Sequence, residues 1–114
     1  MEIKTDDYCV TYEPETVTVS FKGSLRLSGS DEYKPIVELL HEAAKDDPET
    51  ITLDLKELEF LNSSGISMLS KFVINIRKKK NSSITVKGSN DIPWQGKSLK
   101  NLQRLMPSLT LELE

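Results

Sequence analysis

The sequence contains one cysteine, Cys9, and one histidine, His41, in 114 residues. A lone cysteine excludes an internal disulfide, and without a Cys/His cluster there is no structural zinc site to build. His41 has no evident serine or cysteine partner for a hydrolytic triad. No apolar run approaches the roughly 20 residues of a membrane-spanning helix, and no secretory signal is visible, so a reducing cytoplasmic setting without membrane insertion is expected. Neither sign of charge dominates. Fifteen Lys and Arg stand against eighteen Asp and Glu, for a formal net charge of −3. That balance argues against direct nucleic-acid binding, which needs a basic face. There is no internal repeat, low-complexity tract or linker. Residues 1–114 read as a single domain, long enough to bury roughly two thirds of the surface its unfolded chain exposes.

What the sequence does contain is alternation. Residues Tyr8–Tyr12 and Thr16–Lys22 read as strands joined by Glu13-Pro14-Glu15, with Val17, Val19 and Phe21 alternating with Thr18 and Ser20. Residues Gly23–Ser30 read as a loop. Asp31–Asp46 has helical spacing through Ile36, Leu39/Leu40 and Ala43, with Ser30 as a candidate cap and Pro35 near the first turn, where proline is tolerated. Thr50–Leu55 and Ser83–Lys87 alternate again, as does Leu109–Leu113. Ser63–Lys79 and Lys97–Leu105 have helical period. A strand buried on both faces reads as a continuous apolar run, whereas four strands here alternate. The sheet is therefore expected to be covered by helices on one face only, which disfavours a doubly wound nucleotide-binding fold. The fold class is α/β, a mixed sheet with helices on one face in the order β-β-α-β-α-β-α-β.

The most informative stretch runs from Leu53 to Ser67. It opens as a strand and ends as a helix start. Asn62, Ser63 and Ser64 are all good N-cap residues, and Gly65 admits close approach to the backbone. Ile66, Leu69, Phe72/Val73 and Ile76 then recur at helical spacing. Hydroxyls at the positive end of a helix, on a loop leaving a buried strand, make a ready anion site, and phosphorylating such a serine would attach the anion covalently.

The block Phe60-Leu61-Asn62-Ser63-Ser64-Gly65 resembles the Phe-x-Asp-Ser-Ser-Gly signature of the STAS domain. More narrowly, it resembles that of the small bacterial anti-sigma-factor antagonists, the anti-anti-sigma factors, and the order of elements supports the likeness over nearly the whole chain. The resemblance implies a STAS-like mixed sheet. It also implies a non-catalytic binding module in a partner-switching pathway, with the first serine of the pair, Ser63, as the phosphorylated residue. The partners it implies are a serine kinase or anti-sigma factor of the histidine-kinase ATPase type, and a serine phosphatase. The implied contact surface is Asn62, Ser63, Ser64, Gly65, Ile66 and Met68 together with Gly23 and Arg26. No cofactor or metal is expected. Two positions depart from the family. Asn62 replaces its aspartate, and Gly23-Ser24-Leu25-Arg26 replaces a Gly-x-Leu-Asp pattern, so Arg26 offers a cation to a phosphate or an acidic partner group. Many relatives carry a further helix after the last strand, so part of the core is expected to be exposed or covered by a partner. An alternative is a constitutive scaffold domain, or one whose serine loop holds a small anion or nucleotide.

Other residues have plainer readings. Met68 lies off the core stripe of its helix and is expected to be partly exposed, its flexible thioether suiting a partner surface. Gly96-Lys97-Ser98 resembles the end of a phosphate-binding loop, but Asp91 stands where the first glycine of that motif belongs, and Lys97 and Lys100 read as solvated. Trp94 is either a local cover for the core or an interface anchor. Arg77–Lys80 is a cationic helix end of the kind the helix dipole favours. Asp54, Glu57 and Glu59 make no specific catalytic pair. An enzyme is not the expected reading.

Overall fold

In the computed structural model, which describes residues 1–114, six strands form one sheet in the order β1-β2-β3-β4-β5-β6. The strands are β1 (Glu2–Lys4), β2 (Tyr8–Glu13), β3 (Thr18–Leu25), β4 (Thr50–Leu61), β5 (Ser83–Gly88) and β6 (Thr110–Leu113). The first three run antiparallel, and β3 to β6 are parallel neighbours. Three crossovers join the parallel strands through α1 (Gly29–Ala44), α2 (Ser63–Lys79) and α3 (Gln95–Leu105). Each crossover steps one strand in the same direction, and such connections are right-handed, so all three helices fall on one face.

The core lies between that face and the helices. It is one cluster of 26 buried residues, including Val10, Val19, Phe21, Ile51, Leu53, Ile84 and Val86 from the sheet and Ile36, Leu39, Leu40, Leu69, Val73 and Leu102 from the helices. The other face is solvated. Thr18, Thr52, Thr85 and Thr110 lie in register across β3 to β6 on that side, and β-branched polar residues suit a half-wet pleated surface. The mixed sheet and one-sided helices inferred from the alternation are what the chain adopts.

Several boundaries differ from expectation, each for a physical reason. The strand β1 has one apolar residue, Ile3, too few for an alternation to show; it is held by its pairing to β2. Strand β3 begins at Thr18, because Val17 closes the turn with φ +49°. It also runs on to Leu25, so Gly23 belongs to a strand and not to a loop. Gly23 has φ +89°, and a Cβ there would sit 2.3 Å from the Asp7 carbonyl oxygen; only glycine fits where the Ser24 N–H donates to that oxygen at 2.9 Å. The largest difference is β4, which continues six residues past Leu55. Its register against β3 slips between Asp54 and Glu57 and again between Leu58 and Phe60. Each bulge inserts a residue, so the buried positions go from Ile51, Leu53 and Leu55 to Leu58 and Leu61, and the two-residue period that marks a strand in sequence is lost.

Helix α1 begins at Gly29, two residues early. Ser28 precedes it without a side-chain cap, and the Ser28 N–H donates to the Glu32 carboxylate instead. Pro35 therefore falls in the second turn, on the exposed side. Helix α2 ends on Lys80 in the left-handed conformation. Leu111 and Leu113 on β6 are half-buried against the core, and the exposed large apolar side chains are Met1 and Phe60. The part of the core expected to be exposed at β6 is limited to these two side chains, which stay partly open to solvent.

Candidate functional site

The site forms where β3 and β4 end and α2 begins. The N–H of Asn62 donates to the Leu25 carbonyl at 3.1 Å, tying the helix start to the end of β3. Asn62 is the N-cap. Its Oδ1 accepts from the Gly65 N–H at 2.9 Å and from the Tyr33 hydroxyl at 2.7 Å, and its Nδ2 donates to the Leu27 carbonyl at 2.8 Å. Three bonds from one side chain join α1, the segment before α1 and the first turn of α2. Two donors converge on one end of the amide and an acceptor on the other, which fixes its orientation. A carboxylate could accept the first two bonds but could not donate the third, so asparagine, where the resembled signature has aspartate, has a structural role here.

Gly65 is buried in this network. A Cβ on it would lie 2.2 Å from Leu61 Cδ1 and 2.7 Å from the Tyr33 hydroxyl, so glycine lets α2 seat against both. Burial raises the Tyr33 phenol above its ordinary value, which keeps it protonated and donating.

Ser63 is the first helical residue and is exposed. Its hydroxyl takes no part in the cap, which Asn62 supplies. The N–H groups of Ser63 and Ser64 belong to the helix's orphan first turn, where no carbonyl one turn back is available to them. Ser64 turns toward a groove of about 420 Å³ between α1 and α2, whose lining includes Tyr33, Val37, Leu40, Met68 and Phe72, with Lys71 and His41 also on its wall. Arg26 leaves the end of β3 exposed, its guanidinium 4.7 Å from the Phe60 ring centroid, a cation–π stack. Its charge is unpaired and available beside the helix start.

Met68 does not stand on an exposed surface: it is 7% exposed. Helix α2 packs against α1 as well as the sheet, so its buried arc is wider than one stripe. Met68, Phe72 and Ile76 line cavities shared with α1, while Leu69 turns toward Leu99 and Leu102 of α3. Ile66, placed on the core stripe by its spacing, is only half-buried.

Trp94 and Gln95 lie apart from this site and brace it from the other side of β4. The Trp94 Nε1–H donates to the Leu58 carbonyl at 3.1 Å, so Trp94 is a cover for the core. Gln95 is the one fully buried polar residue. Its Nε2 donates to the carbonyls of Leu55 at 2.6 Å and Leu58 at 2.9 Å, and its Oε1 accepts from the Ser89 N–H at 2.7 Å. It satisfies the carbonyls that the β4 bulges expose. No sequence motif marks it; its only signal is a glutamine directly after the tryptophan that opens α3. Because α3 starts at Gln95, Gly96-Lys97-Ser98 lies inside a helix and forms no phosphate-cradling loop.

No family model matches the sequence, and no curated protein matches it significantly. Solved structures do. SiaC of Pseudomonas aeruginosa superposes with a TM-score of 0.74 at 12% identity, over 100% of this chain and 96% of that one. A chain from the complex of the diguanylate cyclase SiaD with its activator SiaC, also from Pseudomonas aeruginosa, gives 0.75 at 12% identity, over 100% and 99% of the two chains. An anti-sigma factor antagonist from Mycobacterium paratuberculosis gives 0.64 at 19% identity, over 94% and 88%. At such identities the likeness is one of fold: the chain has the STAS-like fold that these structures share.

Proposed function

We propose that this protein is a non-catalytic regulatory binding module, switched by phosphorylation of Ser63, that acts in the cytoplasm through a protein partner. The observation that carries the reading is the division of labour at the start of α2. Asn62 holds the fold, while Ser63 beside it is exposed and holds nothing. A phosphoserine brings about −1.5 to −2 charges and three acceptor oxygens. At the helix N-terminus that charge is stabilised by roughly 0.3–1 kcal/mol. The modification therefore costs the fold little, and its effect falls on whatever docks there. The solved neighbours support a partner-binding role, since SiaC is the activator of SiaD and the mycobacterial protein is an anti-sigma factor antagonist.

In this reading the unphosphorylated chain binds its target, a serine kinase of the histidine-kinase ATPase type ends that binding by modifying Ser63, and a serine phosphatase restores it. Ser64, Ile66, Arg26 and the groove between α1 and α2 supply the surface around the switch. Gly23, Gly65 and Met68 shape that surface from beneath it. The end-to-end match to SiaC favours a second version of the target, an enzyme that the unphosphorylated chain activates. Incubation with a candidate kinase and ATP, followed by intact mass and peptide mapping, tests the switch. Phosphate on Ser63 is expected; phosphate on Ser64 alone, or none with the cognate kinase, overturns it.

A further inference from the structure

The ionisable residues are sorted by their place in the fold. Residues 62–111 hold nine of the fifteen Lys and Arg residues and one of the eighteen Asp and Glu residues, Asp91. Helices α2 and α3 carry cations and no carboxylate at all. The protein's three ion pairs, Lys22–Glu57, Lys45–Glu42 and Lys56–Glu114, all draw their cations from elsewhere. Helix α1 is the reverse, with Asp31, Glu32, Glu38 and Glu42 against Lys34 alone.

The cations of α3 and those at the end of α2 share a face, while Lys87 lies on the open side of the sheet. On α3, Leu99 and Leu102 turn to the core, and Lys97, Lys100 and Arg104 recur three and four residues apart on the exposed side. Arg77 Nη1–H donates to the Leu105 carbonyl at 3.2 Å, so the end of α2 meets the end of α3 and the stripe continues into Arg77 and Lys78. Along α2 the same outward direction carries Ser63, Ser67, Ser70 and half-buried Ile74. The formal net charge of −3 conceals this surface. The molecule measures 34 × 27 × 25 Å, several times the Debye length of about 8 Å at physiological salt, so a partner at one face does not feel the charge of the opposite one.

We infer that the outer face of α2 and α3 docks a carboxylate-rich protein surface. The inference rests on Ser63 as the switch and supplies its physical basis: a phosphate added at the Ser63 end of this face repels the anionic groups that its lysines and arginines attract. A protein suits the face better than a nucleic acid does. It presents no free stacking aromatic, since Trp94 is packed among Leu61, Ile66 and Leu99, and Ile74 gives an apolar contact among the cations.

Zero-length carbodiimide coupling, which joins a lysine amine to a carboxylate in contact with it, reads the docked pair directly. The chain is incubated with lysate, coupled, and the linked peptides are sequenced; the protein so identified is then purified and titrated. Links from Lys78, Lys97 or Lys100 to Asp or Glu of one protein are expected. The K97E/K100E/R104E variant should weaken that purified partner's affinity at least about tenfold in about 50 mM salt, with the gap closing near about 0.5 M; the control K4E/K34E should bind as wild type. Links only from Lys4, Lys22, Lys34 or Lys56, or unchanged affinity of the triple variant, overturns the proposal. So does tighter binding of a random 20-base-pair duplex or phosphatidylglycerol vesicles than of the protein in about 0.15 M salt. If the triple variant binds normally while Ser63 phosphorylation still abolishes binding, the face is wrong and the switch stands; if the triple variant fails to bind and phosphorylation changes nothing, the switch is wrong.

Discussion

Replacing Asn62 separates the capping role of this residue from the aspartate that the resembled family carries. In Asn62→Asp the bonds from the Gly65 N–H and the Tyr33 hydroxyl survive, because a carboxylate accepts both. The bond to the Leu27 carbonyl is lost, and that oxygen then faces an anion. Losing the donor and leaving the carbonyl unsatisfied costs roughly 1–3 kcal/mol, and the added charge at the helix N-terminus returns roughly 0.3–1. The net loss is about 1–2 kcal/mol, a fall in Tm of roughly 4–8 °C for a domain of this size. Asn62→Ala removes all three bonds and should cost about 3 kcal/mol. Calorimetric melts of wild type, both variants, Tyr33→Phe and the Asn62→Ala/Tyr33→Phe double variant give the ranking and the coupling. An Asn62→Asp protein as stable as wild type would show that the amide donor contributes nothing, and additive Ala and Phe effects would show that Tyr33 and Asn62 do not act together.

Three further outcomes follow from the packing. The folded-state pKa of Tyr33 is raised by burial, so its contribution is intact below the unfolded phenol value near about 10 and is lost as pH rises through the folded one; Tm should fall between pH 8 and alkaline pH in wild type and fall less in Tyr33→Phe. Gln95→Leu strands the Leu55 and Leu58 carbonyls and the Ser89 N–H, and chemical denaturation should show a loss of about 3 kcal/mol; a loss below about 0.5 would mean that water replaces the amide. Met68→Ala should lose about 2–3 kcal/mol in the same assay because the side chain is buried between α1 and α2, and a loss within about 0.5 would return Met68 to the surface.

The parts of the fold written in strong periodicity were legible in the sequence. The alternation in Thr50–Leu55 and Ser83–Lys87 predicted a one-sided sheet, and the hydroxyl-rich turn at Asn62–Ser64 marked the start of α2. What failed to show did so for definite reasons. The β4 bulges shift the buried positions from every second residue to every third, so Lys56–Phe60 does not read as strand. The burial of Met68 depends on α1, which no periodicity within α2 reports. Three capping residues in a row left open which one caps, and only the positions of Tyr33 and Leu27 select Asn62. The helix charge bias was present in the composition, but a net charge averages it away.

The central claim is that Ser63 is a switch whose phosphate acts on a partner and not on the fold. Its most direct measurement compares the protein carrying phosphoserine installed at position 63 with the unmodified protein, by titration against the purified partner and by thermal melting. The account predicts that phosphoserine at 63 weakens binding at least about hundredfold, roughly 2.7 kcal/mol, while Tm falls by no more than about 2 °C, a loss of stability of less than about 0.5 kcal/mol. Equal affinity of the two forms, or a loss of binding that accompanies unfolding, would contradict it.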